Sequence, residues 1–141
     1  MKIIRGIGGG IAFGIISMIF GWLVYGGLFA TWTQQASHLW RPMESLYWRL
    51  GMPLADIFGG LIISLAYAIL HKGVPGEGLR KGLIFGLIIW LITRVAGELY
   101  YYVMSPIPFM LVVAGWVHGL LVSVSGGIAL AAIYGKSLEQ S

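Results

Sequence analysis

Four ionisable side chains lie inside long apolar stretches of the sequence, namely Asp56, Arg94, Glu98 and His118. A charged group in membrane hydrocarbon costs about 3 kcal/mol or more, so such residues usually mark a functional site or a buried pair. Arg94 and Glu98 are four residues apart and would pair directly on one face of a helix. We expect Arg94 to lie between Glu98 and Asp56, with His118 nearby.

Aromatic and hydroxyl side chains are predicted to line a cavity around these four residues. They are Tyr25, Trp90, Thr93 and Tyr101. Three interpretations of the group remain open. It could be a structural arginine–carboxylate network that fixes the register of the helices, a site for a ligand, a proton or an ion, or a contact with a partner subunit.

Several other kinds of chemistry are missing from the sequence. It has no cysteine, which excludes disulfides and thiolate chemistry, and it has no nucleophile elbow, phosphate-binding loop or metal-ligand spacing. Haem ligation needs two histidines at similar depth, whereas His38, His71 and His118 belong at three different depths. We therefore predict a non-enzymatic chain without metal, haem or other cofactor. A quinone or lipid site that uses the same polar residues stays open as an alternative.

The segments that must position these residues are long and apolar. Of the 141 residues, 58% are hydrophobic and 10% are charged, whereas soluble domains carry about 25% charged residues. The apolar residues form four blocks, at about residues 7–30, 52–70, 82–103 and 109–134, each close to the ~20 residues that cross ~30 Å of hydrocarbon. The sequence predicts an all-α membrane protein whose single domain, residues 1–141, is a four-transmembrane-helix bundle.

Basic residues are divided unequally between the two sides of this predicted bundle. One side carries Lys2, Arg5, Lys72, Arg80, Lys81 and Lys136, and the other carries Arg41 and Arg49. The positive-inside rule places the first side in the cytoplasm, so we predict a multi-pass protein of the cell (inner) membrane with both termini cytoplasmic. Counted at about 1.5 Å per residue from the span ends, the four ionisable residues then fall in the outer half.

One sequence pattern occurs twice. Residues 10–16 and 82–88 both read glycine, aliphatic, any residue, phenylalanine, glycine, aliphatic, isoleucine, and they open the first and third spans. A weaker match relates residues 59–67 of the second span to residues 126–134 of the fourth. The chain is therefore predicted to be two duplicated helical hairpins, related by an axis along the membrane normal.

Small residues spaced four apart are expected to bring the helices together, because lipid provides no hydrophobic driving force between them. The predicted helix-packing glycines are Gly10, Gly14, Gly60, Gly82, Gly86, Gly115, Gly119 and Gly127. A glycine-lined pore is the alternative interpretation of the same stripes. Some of them could instead contact another protein.

The first outer loop, residues 31–51, has helical spacing of its own. Leu39, Met43, Leu46 and Leu50 recur at intervals of three and four, and Pro42 suits the first turn of a helix. We predict a short amphipathic helix on the outer membrane surface. The alternative is an ordinary loop with interfacial aromatic residues.

These features favour a small non-enzymatic membrane protein, an accessory or structural subunit of a larger membrane assembly. The first alternative is a small transporter or channel with a polar site in the outer half, and the second is a quinone- or lipid-binding subunit. The expected partners are the lipid bilayer and either other membrane subunits or further copies of the chain. Nucleic acid is not expected, because the basic residues form no continuous stripe.

Overall fold

The computed structural model describes residues 2–135, except for the side chain of Lys2, and this part of the chain is helical with no strand. Four helices are long and apolar enough to cross a membrane, and they comprise Ile3–Leu28, Leu46–Gly73, Gly78–Met104 and Phe109–Tyr134. The predicted all-helical chain with four candidate spans is confirmed. Lys136, one of the basic residues used to predict orientation, lies outside the described residues.

The helical elements are as follows. Helix α1 (Lys2–Leu23) continues into a π-helical turn (Val24–Leu28), and α2 (Ala30–Gln35) is followed by a 3-10 turn (Ser37–Leu39). Helix α3 (Leu46–Leu70) ends in a second 3-10 turn (His71–Gly73). Helix α4 (Gly78–Trp90) passes through a π-helical turn (Leu91–Val95) into α5 (Ala96–Met104), and α6 (Phe109–Tyr134) completes the fold.

Both ends of the described chain lie at the same end of the bundle. The guanidinium of Arg5, near the start of α1, donates a hydrogen bond to the carbonyl oxygen of Tyr134, the last residue of α6 (3.1 Å). We call this the amino-terminal end. The segments 29–45 and 105–108 form the opposite, distal end.

The helices pack in the order α3, α1, α6, α4. Helix α1 contacts both α3 and α6, and α4 packs on α6, whereas α3 and α4 have no contact of similar extent. In the apolar stretch of α6, 50% of the residues are buried, whereas 17% are buried in the apolar stretch of each of the spans that contain α3 and α4. Helix α6 is therefore the centre of the fold, and α3 and α4 are its flanks.

Glycines set the close contact between α1 and α3. A Cβ atom on Gly60 would collide with the carbonyl oxygen of Gly10 and lie 2.8 Å from the backbone nitrogen of Gly14. A Cβ on Gly10 would lie 2.7 Å from the Cα of Leu61, and one on Gly14 would lie 2.8 Å from the Cα of Ile57. The backbones of the two helices therefore touch directly, as expected where small residues replace side-chain packing.

The contact between α4 and α6 is built in the same way. A Cβ atom on Gly127 would collide with the carbonyl oxygen of Gly82 and lie 3.1 Å from the backbone nitrogen of Gly86. A Cβ on Gly86 would collide with the carbonyl oxygen of Ser123. One glycine of the second helix thus fits between two glycines, four residues apart, of the first helix in each pair.

An aromatic cluster joins the two helix pairs near the amino-terminal end. The ring of Tyr67 on α3 lies 5.0 Å from that of Phe85 on α4 and 5.6 Å from that of Tyr134 on α6. Phe13 on α1 belongs to the same buried core. The Tyr134 hydroxyl also donates to the carbonyl oxygen of Ser64 (3.2 Å). All four candidate spans therefore meet at this end.

The predicted amphipathic helix does not form a separate element. Residues 40–45 are not helical, and the side chain of Ser45 accepts a hydrogen bond from the backbone N–H of Trp48 (3.3 Å), which caps the start of α3. Pro42 lies before this cap, in a turn closed by its carbonyl oxygen and the N–H of Ser45 (3.0 Å). The leucines from Leu46 onwards therefore belong to the first turns of a long helix.

Candidate functional site

Asp56 links α3 to α1 in the distal half of the bundle. The hydroxyl of Ser17 on α1 donates a hydrogen bond of 2.7 Å to Oδ1 of Asp56. Gly14 makes this approach possible, because a Cβ atom there would lie only 2.8 Å from the carbonyl oxygen of Asp56. A carboxylate in a candidate span thus has a hydrogen-bond donor on the neighbouring helix, which lowers the cost of burying it.

His118 links α6 to the same turn of α1. Its Nε2 lies 3.3 Å from the carbonyl oxygen of Ser17, and since a carbonyl only accepts, Nε2 carries the proton. In the neutral ring Nδ1 is then an acceptor, and it is buried without a hydrogen-bond partner among the described residues. The ring of Tyr25 lies 5.4 Å from that of His118.

Arg94 and Glu98 form an ion pair at the surface of α6. Nη1 of Arg94 lies 3.4 Å from Oε1 of Glu98, and the two side chains are 40% and 15% exposed. Within residues 2–135 this is the one ion pair shorter than 4 Å. The aliphatic stem of Arg94 covers Gly119 and the carboxyl group of Glu98 covers Gly115, so both side chains depend on glycines of α6 for their positions.

The π-helical turn between α4 and α5 is supported by side chains. A π turn shifts the backbone hydrogen bonds by one residue and is frequent at functional sites. Here the Thr93 hydroxyl donates to the carbonyl oxygen of Ile89 (2.7 Å), and Nε1 of Trp116 donates to that of Val95 (3.3 Å). Nε1 of Trp90 donates in turn to the carbonyl oxygen of Trp116 (2.9 Å). The carbonyl oxygens of Ile89 and Val95 therefore accept hydrogen bonds from side chains, one within the turn and one on α6.

The predicted single cluster is divided into two groups. Arg94 has Glu98 as its carboxylate partner, but Asp56 pairs with Ser17, so the expected contact of Arg94 with Asp56 is not formed. The reason is the packing order, because α3 lies against α1 and makes no extensive contact with α4 or with the π turn that carries Arg94. His118 lies between the groups, within electrostatic range of both Arg94 and Asp56.

The four side chains predicted to line a cavity are used in contacts. Tyr25 packs on His118, and Trp90 and Thr93 support the π turn. The hydroxyl of Tyr101 accepts a hydrogen bond from Nε1 of Trp40, in the first distal segment (3.1 Å). These residues join neighbouring segments of the distal half, and Thr93 is exposed on the surface.

Sequence reasoning missed Ser17 and Trp116 as members of this site. Serine is a common small residue in membrane helices, so its type gives no signal. The position of Ser17 does give a signal. Ser17 lies three residues after Gly14, Asp56 lies four residues before Gly60, and Gly14 and Gly60 contact each other. An antiparallel pair in register at these glycines brings the hydroxyl and the carboxylate together.

The eight predicted packing glycines all lie where two helices touch. A Cβ atom on any of them would come within 3 Å of an atom of another helix.

Across the described part of the chain, no group of three or more histidine, cysteine, aspartate or glutamate side chains could hold a metal ion. His71 lies at the amino-terminal end, where Nδ1 hydrogen-bonds to the carbonyl oxygen of Ala68 (2.9 Å), far along the bundle from His118.

The arrangement can therefore do two things chemically. It ties α1 to α3 and α6, and α6 to α4 and the π turn, through polar contacts. It also leaves, among the described residues, one imidazole nitrogen without a hydrogen-bond partner and one partly exposed guanidinium in the distal half. Comparison of the chain with protein-family models, with curated proteins and with solved structures gives no match.

Proposed function

We propose that this chain is a small non-enzymatic integral membrane subunit that packs against a helix of another membrane protein. The observation that supports this best is the open flank of α3. One face of α3 is covered near the amino-terminal end and uncovered in the distal half, where its residues are small. A helix of a partner would complete the bundle there.

The face in question, the α3 stripe, consists of Gly51, Ala55, Gly59, Ile63 and Ala66, at successive spacings of four, four, four and three. Ile63 and Ala66 pack against the buried aromatic core. In the distal half, Ala55 is exposed, and a Cβ atom on Gly51 or Gly59 would meet nothing within 4 Å. Small residues four apart are the surface on which membrane helices associate.

Hydrogen bonds hold α3 in this open position. The bond from Ser17 to Asp56 and the glycine contact at Gly60 keep the distal half of α3 on α1, and α3 makes no extensive contact with the π turn or with α5. The polar residues then serve the fold rather than a reaction. This interpretation is also consistent with the exposed apolar side chains of α3, among them Leu54 (67% exposed) and Phe58 (66%), which suit lipid or a partner.

The same proposal includes the origin and the orientation of the bundle. We infer that the two hairpins arose by duplication, since each is closed by one glycine held between two others, and since the rings of Tyr67 and Tyr134, which correspond in the repeat, pack against each other at a tilt of 43°. The basic residues Arg5, Lys72, Arg80 and Lys81 favour a cytoplasmic amino-terminal end. The distal segment 29–45, with Trp32 and Trp40, would then lie at the outer interface.

The test is recovery of a partner from native membranes in mild detergent. We expect the tagged chain to bring down a distinct membrane protein at a constant ratio. Gly59→Leu should lower that ratio about fivefold or more, because overpacking a helix contact costs roughly 1–3 kcal/mol. Gly8→Leu is the matched control, since Gly8 is exposed on α1 with nothing within 4 Å of a Cβ atom. Recovery of the chain as a lone, homogeneous oligomer would contradict the proposal.

A second candidate function is transport, which one observation favours. The buried Nδ1 of His118 lacks a partner among the described residues, and Arg94 nearby is partly exposed, as in a site that accepts a ligand or an ion. If so, Arg94→Ala and Glu98→Gln should each abolish proton or cation flux into liposomes, read with a pH-sensitive dye and a cation-sensitive dye. Flux that is unchanged in both variants, or absent from the wild type, would exclude this function.

A further inference from the structure

A groove runs between α1 and α3 from the middle of the helices to the amino-terminal end. Its volume is about 630 Å³. Branched apolar side chains form most of its lining, and these are Ile3, Ile7, Leu61, Leu65 and Ile69. Gly6, Ala68 and Tyr134 complete the apolar part, and His71 and Lys72 lie at the end of it. The groove is thus apolar along its length and polar only at one end.

The length of the groove corresponds to one leaflet of a bilayer. Its lining on α3 and the following 3-10 turn extends from Leu61 to Lys72, eleven positions apart, which is about 16 Å at the rise of a helix. Half of a ~30 Å hydrocarbon core is about 15 Å. Leu61 lies near the middle of the candidate span Leu46–Gly73. An occupant with one end at Lys72 would therefore reach the middle of the membrane.

The polar end of the groove carries positive charge. Lys72 is exposed, and no carboxylate lies within 4 Å of it among residues 2–135. Arg5 is close by, because its guanidinium donates to the carbonyl oxygen of Tyr134, which also lines the groove. An anionic group at the end of an apolar chain matches this distribution of charge.

We propose that the groove binds an anionic phospholipid, with one acyl chain along the branched side chains and the phosphate at Lys72. A helix of another protein is a poorer match, because isoleucine and leucine side chains, rather than small residues, form the walls. The groove also lies farther along α3 than the uncovered part of the α3 stripe, since its lining begins at Leu61 and the uncovered stripe residues, Gly51, Ala55 and Gly59, precede it. Lipid binding is therefore separate from the proposed partner contact.

The experiment uses the full chain in vesicles of equal parts palmitoyl-oleoyl phosphatidylglycerol and palmitoyl-oleoyl phosphatidylcholine. Native mass spectrometry of protein released from these vesicles counts the lipids that remain bound. We expect retention of phosphatidylglycerol over phosphatidylcholine, and Lys72→Gln should reduce that preference about fivefold, which corresponds to ~1 kcal/mol for one basic residue at an anionic surface. Arg80→Gln is the control, because Arg80 is exposed at the same end but does not line the groove.

A second pair of variants tests the apolar part. Leu65→Trp should fill the groove and remove bound phosphatidylglycerol, whereas Ile62→Trp should not, since Ile62 is similarly exposed (51%, against 60% for Leu65) but lies outside the groove. Equal retention of the two lipids, equal effects of Lys72→Gln and Arg80→Gln, or retention unchanged by Leu65→Trp would each overturn the proposal. Displacement of the lipid by inorganic phosphate alone, or by an equimolar uncharged quinone, would also overturn it.

Discussion

Replacing Gly86 by alanine tests the close contact between α4 and α6. The new methyl group would collide with the carbonyl oxygen of Ser123 and lie 2.8 Å from the Cα of Val124. Ordinary carbon–carbon contacts are about 3.5–4.0 Å, so α4 must move away by about 1 Å, and backbone atoms offer no rotamer change to absorb the clash. A gap of that size forfeits roughly a quarter to a half of the dispersion energy of the contacts it separates.

We expect Gly86→Ala to lower the free energy of unfolding by about 1–3 kcal/mol, as for overpacked cores, which is roughly 5- to 150-fold in the unfolding equilibrium. The assay is reversible unfolding in mixed micelles of increasing sodium dodecyl sulfate content. Gly97→Ala is the control, because nothing lies within 4 Å of a Cβ atom there, and the better helix propensity of alanine should make it neutral or stabilising by up to ~1 kcal/mol. Equal stability of the two variants would refute the reasoning.

Three further variants test the polar contacts by the same unfolding assay. Gly119→Ala should destabilise more than Gly115→Ala, because the first methyl group meets the stem of Arg94 whereas the second meets only a carboxyl group at the end of a flexible side chain; the reverse order would contradict this placement. Ser17→Ala should cost about 1–3 kcal/mol, because it leaves the carboxylate of Asp56 without its donor on α1, and a neutral result would show that water replaces the hydroxyl.

The candidate spans could be predicted from the sequence because apolar length alone decides them. The fourth span begins and ends where it was predicted, at Phe109 and Tyr134. The second begins at Leu46, six residues before the prediction, because the cap at Ser45 starts a helix at a point where hydropathy does not change. The glycine contacts could also be predicted, because small residues spaced four apart mark a packing face. The spacing does not show which helix packs against that face.

The order in which the spans pack could not be predicted. Glycine stripes on every span allow several pairings, and nothing in the sequence indicates that α3 makes no extensive contact with the π turn or α5 in the distal half. That separation determines the contacts of the site, because Asp56 then accepts a hydrogen bond from Ser17, and Arg94 forms its ion pair with Glu98. The unsatisfied Nδ1 of His118 likewise depends on which helix its Nε2 faces, which is a property of the packed structure.

The most direct test of the central claim is photo-crosslinking from the α3 stripe in native membranes. A photoreactive amino acid at Ala55 should give one discrete adduct with a different membrane protein, identified by mass spectrometry. The same group at Ile19, which is 53% exposed on α1, should give lipid adducts without that protein. An adduct at Ala55 that contains only lipid, or only a second copy of this chain, would contradict the account.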